Sequence, residues 1–291
     1  MKVAIYTRGI EEEHKTYFKQ LILSLQKNKF GIVCHSQIAS TTQYISELGD
    51  VAYFDKTNKL PLDTNYFITL GGDGTILDAV TYIGESEIPL IGINFGRLGF
   101  LAATSKEHIE NLVQSLVQHT FTIENRSVLY AASSDPVFGE TPFALNELTI
   151  HKTDVSPMIK IHTYLNGEFL NTYWSDGLII STPTGSTGYN LSCNGPIIFP
   201  HSNAFAITPI SPHNLNNRPI VVPDDMVLTF EVEGRTNQFL CTLDARRTLV
   251  AIDTKIAVRK AKFSFKLLQL PENNFLNTLR NKLGWGNDVR N

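Results

Sequence analysis

The sequence predicts an α/β N-terminal domain built on a parallel sheet, followed by a mostly β, sandwich-like C-terminal domain. Three observations carry this reading. Strand and helix signals alternate through residues 1–120. Beyond that point, short β-branched and aromatic runs separated by turn residues dominate. Finally, two glycine-rich segments, 71–75 and 92–100, each follow an apolar strand-like run, the place where open parallel sheets carry their ligand loops.

In order, Val3 to Tyr6 reads as a first strand, and Tyr17, Phe18, Leu21, Ile22 and Leu25 then recur at helical spacing. Gly31 to Cys34, Tyr66 to Leu70 and Pro89 to Ile93 read as further strands, and residues 105–119 as a helix capped by Ser105 with Ile109, Leu112, Val113, Leu116 and Val117 on one face. In the second half, strands are expected at Val128–Ala132, Glu147–His151, Ile159–Leu165, Val227–Val232, Phe239–Leu243 and Phe263–Leu268, with a hairpin turn at Asn166-Gly167. Phe275, Leu276, Leu279 and Leu283 mark a last helix. The domains are therefore expected at 1–120 and 121–270, with a tail, 271–291, packing back on the first.

Composition narrows the function classes. Of 291 residues 42% are hydrophobic, and 25 basic against 28 acidic residues give a net charge of −3 without a like-charge run. That argues against a nucleic-acid-binding face. No uncharged apolar stretch reaches membrane-spanning length, and the N-terminal apolar run is too short for a signal peptide. Three well-separated cysteines, Cys34, Cys193 and Cys241, fit neither a disulfide framework nor a metal cluster. A cytoplasmic protein is expected, with no membrane and no nucleic acid among its partners.

Four segments could carry chemistry. Gly71-Gly72-Asp73-Gly74-Thr75 is either a tight turn with Asp73 capping the next helix or a phosphate cradle with one acid aimed at the ligand. A Lys-Ser/Thr pair of the Walker type is absent, so backbone groups would make most phosphate contacts. Gly92 to Phe100 is a strand–helix connection or a second loop on the same sheet edge. Asn146-Glu147 sits in an apolar run, Phe143 to Ile150, that reads as one strand with these two on opposite faces. It is either a wet edge or an amide and a carboxylate gripping ribose hydroxyls. The fourth, Ser175 to Asn190, is an apolar strand entering a loop of hydroxyl and glycine residues, suited to a nucleotide's polar edge. The lone histidines read as structural or exposed residues, and Trp174 and Trp285 as packing residues.

These segments, in this order and at these spacings, resemble the NAD kinases: the Gly71–Thr75 turn, the Asn94–Phe100 loop, Asn146-Glu147, Thr182 to Thr187 and, more weakly, Pro212-His213 with Asn217 to Ile220. The resemblance covers residues 1–283. It implies an α/β domain and a β-rich domain with NAD in the cleft between them, and transfer of the ATP γ-phosphoryl group to the 2′-hydroxyl of the adenosine ribose, giving NADP with Mg²⁺ as cofactor. By matching position, Asp73 is implied as general base, Gly74 as a nucleotide contact, and Asn146 and Glu147 as partners of the ribose hydroxyls or diphosphate. Asp176 is implied at the nicotinamide end, and Thr184, Thr187, Gly188, Tyr189, Asn190, Leu191 and Ser192 around the adenine and its ribose, with His213 and Arg246 also in the binding set. A neighbouring subunit of a homodimer or homotetramer is implied to complete the pocket. Gly188 stands where the family often has Ala, Leu243 to Arg246 where many members have Asp-Gly-Gln, and Asp78 where some carry a basic residue. A lipid or sugar kinase sharing the glycine turn, and a non-catalytic NAD(P)-binding regulator, are the competing readings.

Overall fold

Five-residue apolar runs, too short for helices and buried on both faces, become the central strands of the first half of the chain. The computed structural model describes residues 1–39, 51–153, 157–271 and 273–285. It divides into two compact units, Met1–Glu124 with the C-terminal segment from Lys266, and Asn125–Phe265.

In the first unit, β1 (Lys2–Thr7) lies between β2 (Gly31–His35) and β4 (Tyr66–Leu70), with β3 (Ala52–Phe54) beyond β2 and β5 (Leu90–Asn94) beyond β4, all parallel. A two-residue strand, β6 (Thr104–Ser105), pairs with the end of β5. Helices α1 (Lys15–Lys27), α2 (Ser36–Ala39), α3 (Asp73–Ile83) and α4 (Ile109–Gln118) connect these strands or follow them. Both long amphipathic stripes face the core. Phe18, Leu21, Ile22 and Leu25 of α1 and Ile109, Leu112, Val113 and Leu116 of α4 are each at most 3% exposed, worth about 1.5–3 kcal/mol apiece for the apolar side chains. Residues 106–108, inside the expected helix, form a 3-10 turn preceding α4, and Ser105 makes no side-chain cap.

The second unit is a sandwich. One antiparallel sheet runs in the order β14 (Ile220–Pro223), β13 (Ala204–Ile210), β12 (Gly177–Ser181), β9 (Glu147–His151), β16 (Gln238–Leu243), β17 (Arg246–Ala251). The facing layer contains β7 (Thr122–Ser133), β8 (Phe143–Ala144), β10 (Ile159–Leu165), β11 (Glu168–Ser175), β15 (Leu228–Glu233) and the first part of β18 (Ile256–Gln269). Leu148, Ile150, Leu178, Ile180, Phe205 and Phe239 from one sheet pack on Ile161, Tyr173, Phe230 and Val258 from the other. The expected hairpin joins β10 and β11, with Asn166 at φ 49° and Gly167 at φ 85°, the left-handed pair that a two-residue turn demands. A four-residue helix, α5 (Tyr189–Ser192), follows the hydroxyl-rich loop.

The end of β18 enters the first unit, where Leu267 pairs with Leu90 of β5. Helix α6 (Phe275–Leu283) follows, started by the Asn274 side chain accepting from Leu276 N at 2.8 Å and stopped by Gly284 at φ 68°. No described helix is long and apolar enough to cross a membrane.

Candidate active site

In the first unit, β4 ends at Leu70 and α3 begins at Asp73, so two glycines must turn the chain. Gly71 adopts φ 142°, and a Cβ there would overlap Thr75 Oγ1. Gly72 caps α3 in an extended conformation. The first N–H groups of α3 have no carbonyl one turn back within the helix, which leaves a site of positive potential beside the turn. Asp73 stands in this first turn.

The Asp73 carboxylate does not hang free. Its Oδ2 accepts from Phe100 N at 2.8 Å, and its Oδ1 from Leu101 N at 3.0 Å and Ala102 N at 2.9 Å. The second glycine-rich loop is thereby anchored to the first, and three of about four carboxylate lone-pair positions are filled. Gly99 is required by this approach, since a Cβ would overlap Asp73 Oδ1. Asn94, at the end of β5, shapes the same loop by donating to Arg97 O at 2.9 Å and accepting from Gly96 N at 2.8 Å.

Asp78, five residues further along α3, faces Arg8, which follows β1. The guanidinium binds both carboxylate oxygens, Nε at 2.5 Å and Nη2 at 2.9 Å, and donates to Gly74 O at 3.0 Å. Tyr6 adds a bond to Asp78 at 3.1 Å; burial and the neighbouring carboxylate push the Tyr6 phenol well above its ordinary range. Sequence reading singled out Asp78 without its partner. The available signal was that Arg8 follows the strand adjoining β4, so both leave the sheet at one edge.

In the second unit, the expected single strand from Phe143 to Ile150 is broken. β8 stops at Ala144 and pairs with β7, whereas β9 starts at Glu147 and pairs with β12 and β16. Leu145 and Asn146 form the corner between them, so alternation does not govern the placement of Asn146 and Glu147. The cause is Asp244, in the β16–β17 turn, which accepts from Leu145 N at 2.9 Å, Asn146 N at 2.7 Å and Glu147 N at 3.2 Å. The fourth segment closes over the corner. Thr182 donates through N to Asn146 O at 2.9 Å and through Oγ1 to Leu145 O at 2.6 Å, and a Cβ at Gly185 would overlap Asn146 O.

The corner and the loop thus form one site. Asn146 Oδ1 and Glu147 Oε2 are buried and have no hydrogen-bond partner among the described residues. A Cβ at Gly188 would stand 3.3 Å from Asn146 Nδ2 and 3.4 Å from Glu147 Oε2. Burial, with Asp244 adding to it, pushes the Glu147 carboxyl up to about 8. Burial also raises Asp244, but three N–H donors and Arg246 favour its charged form.

The remaining expected residues separate by what they touch. Thr184 is buried with its Oγ1 3.4 Å from Arg126 Nη1, and Thr187 donates to Thr184 O at 3.3 Å. Asn190 is fully buried and committed to protein: its amide donates to Ser186 O and Pro196 O and accepts from Thr208 Oγ1. Tyr189 and Ser192 are exposed and Leu191 half-buried at the surface of α5. Arg246, implied in the binding set, donates to Thr141 O at 2.5 Å, Thr141 Oγ1 at 2.7 Å and Phe143 O.

Asp176 and His213 stand at the other end of β12, although the Asp176 charge still reaches Tyr189 of α5, whose phenol is raised mainly by burial. Asp176 precedes β12 and pairs with Lys152 at 2.8 Å. His213 stacks on Trp174, ring centroids 4.3 Å apart, beside a cavity of about 510 Å³ lined by Asn171, Asn214 and Asn217. Trp174 is 45% exposed, not a packing residue. The whole of β12 separates Asp176 from Thr182, about 20 Å at the rise of a strand.

Two family profiles match, the ATP-NAD kinase N-terminal domain over residues 3–121 and the ATP-NAD kinase C-terminal domain over 145–270. The chain belongs to the NAD kinase family. It is 43% identical to an NAD kinase of Cytophaga hutchinsonii and 42% identical to one of Bacteroides fragilis, in each case over the full length of both chains. Among solved structures of the NAD kinase fold, the yeast NADH kinase in complex with NADH superposes with a TM-score of 0.88 at 21% identity, over 100% of this chain and 89% of that one. An NAD kinase from Archaeoglobus fulgidus in complex with ATP gives 0.74 at 23% identity over 98% of both.

Proposed function

We propose that this NAD kinase family member transfers the γ-phosphoryl group of ATP to the 2′-hydroxyl of the adenosine ribose of NAD, with Asp73 as the general base. The observation that carries this reading is the position of Asp73, in the first turn of α3 with its carboxylate fixed by three N–H donors. The fourth lone-pair position is left for a hydroxyl. A ribose hydroxyl is a poor nucleophile at neutral pH, so a fixed acceptor for its proton lowers the barrier. The oxygen then attacks the γ-phosphorus, the bridging bond to the β-phosphate breaks, and ADP leaves. Positioning and charge neutralisation supply the rest, and the positive end of α3 suits the phosphates.

Gly74 is proposed as a nucleotide contact. In the second unit, Asn146 and Glu147 are proposed to hold the ribose hydroxyls or diphosphate of NAD, their buried unpartnered oxygens finding partners in it. Thr184, Thr187, Gly188, Tyr189, Leu191 and Ser192 line the adenine and ribose side, with Asn190 supporting that loop. Asp176 and His213 take the nicotinamide end. The length of β12 between them and Thr182 favours their serving a neighbouring copy, in a cytoplasmic homodimer or homotetramer. Near the turn, Asp78 is engaged by Arg8 and Asp73 by three N–H groups, so these two carboxylates have little free capacity to hold a metal ion by themselves. This fits Mg²⁺ carried on the phosphate oxygens of ATP, with Asp73 as the carboxylate beside it; the ion would neutralise phosphate charge.

The deciding assay is purified protein with ATP, Mg²⁺ and NAD, with NADP read by an NADP-specific dehydrogenase. NADP formation is expected. NAD binding without turnover would point to a regulator, and neither binding nor turnover to a different acceptor.

A further inference from the structure

Asp244 presents an unusual use of a carboxylate. Its side chain is 2% exposed, and it occupies a two-residue turn between β16 and β17 with φ 53°. That conformation is met by Asn or Gly at least as well as by Asp, so the turn alone does not require a charge. The partners of the carboxylate do. It collects the N–H groups of three consecutive residues, Leu145, Asn146 and Glu147, while its own N–H donates to Glu147 O at 3.0 Å. Charge-assisted bonds of this kind are the strong ones. Arg246 stands 4.0 Å from the carboxylate and lies over the Phe143 ring while donating to Thr141 and Phe143, so it ties down the chain just before the corner.

What this clamp holds is the pair whose side-chain oxygens, Asn146 Oδ1 and Glu147 Oε2, are buried without partners among the described residues. Buried polar atoms left without partners are costly in the protein alone. A corner that pays this cost and is fixed by three bonds to one carboxylate and one backbone bond is preorganised for a ligand.

We propose that Asp244 is a positioning residue for NAD, its buried carboxylate fixing the Leu145–Glu147 corner so that the Asn146 and Glu147 side chains meet the nucleotide already in place. The inference rests on the NAD kinase reading. Asp244 itself touches no ligand; it acts through the backbone of the residues that do.

The test compares Asp244→Asn and Asp244→Gly with the wild-type chain, measuring KM for NAD, KM for ATP, kcat and the thermal midpoint. Glycine keeps the left-handed turn accessible and removes the carboxylate, so at least one variant is expected to fold. Both should raise KM for NAD about tenfold or more, while KM for ATP stays within about twofold and kcat within about threefold. Wild-type KM for NAD in both variants, with NADP still formed by the wild type, would overturn the proposal alone. So would parallel rises in both KM values, or loss of the melting transition in both variants, which mark a general folding role. No NADP from the wild type would overturn the NAD kinase reading and this proposal with it.

Discussion

Asp73 in the first unit and Asp244 in the second each gather three consecutive backbone N–H groups, Phe100 to Ala102 in one case and Leu145 to Glu147 in the other. Their surroundings differ. Asp73 is half-buried in the opening turn of an eleven-residue helix, with glycines on either side that leave its face clear. Asp244 is sealed inside a sandwich, with an arginine at its back. On the roles proposed above, the same bonding pattern would serve reaction chemistry at the half-buried carboxylate and scaffolding at the sealed one.

The comparison breaks first at Asp73→Asn. With Asp73 as base, kcat should fall about 10²–10⁴-fold, while NAD affinity, measured by calorimetry, changes only a few-fold. Wild-type kcat in this variant would remove Asp73 from the proton transfer. Next in size is Gly99→Ala, which crowds the Asp73 carboxylate without touching its chemistry. A displaced carboxylate should cost kcat about 10–10²-fold with the fold intact by circular dichroism; unchanged kcat would mean the loop gives way freely.

The smallest effect sharpens the second-unit side. Because the folded Glu147 carboxyl sits at about 8 against an ordinary 4.5, its contribution to stability is full below pH 4.5 and is lost as pH rises to about 8. Glu147→Gln removes that loss. The gap in thermal midpoint between variant and wild type should therefore widen from pH 5 to pH 8, by the equivalent of a few kcal/mol at roughly 1.4 kcal/mol per pKa unit. Parallel curves would show that Glu147 is ionised throughout.

How much of this was legible in the sequence follows from which signals are local. The parallel strands were readable because Tyr66 to Leu70 and Leu90 to Asn94 are buried on both faces and therefore continuously apolar. The hairpin at Asn166-Gly167 was readable because two left-handed residues announce it. Asn146-Glu147 and the Thr182–Gly188 loop were found as separate segments, and the structure joins them. The break at Leu145 was not readable, because its cause lies 99 residues away at Asp244. Arg8 and the Phe100–Ala102 amides escaped for the same reason: one acts through a side chain on Asp78, and backbone N–H groups carry no letter of their own.

The anchoring of residues 100–102 on Asp73 has a consequence for the order of events in a turnover. With Asp73 as the base, the proton leaving the ribose hydroxyl converts a carboxylate into a neutral acid. Hydrogen bonds to an ionised acceptor are roughly twice as strong as those to a neutral one, so the grip on all three amides slackens in the same instant. The loop is held most firmly while the hydroxyl is still waiting and least firmly once the phosphoryl group has moved. One proton thereby marks time for both the chemistry and the loop, and its return to solvent resets them together.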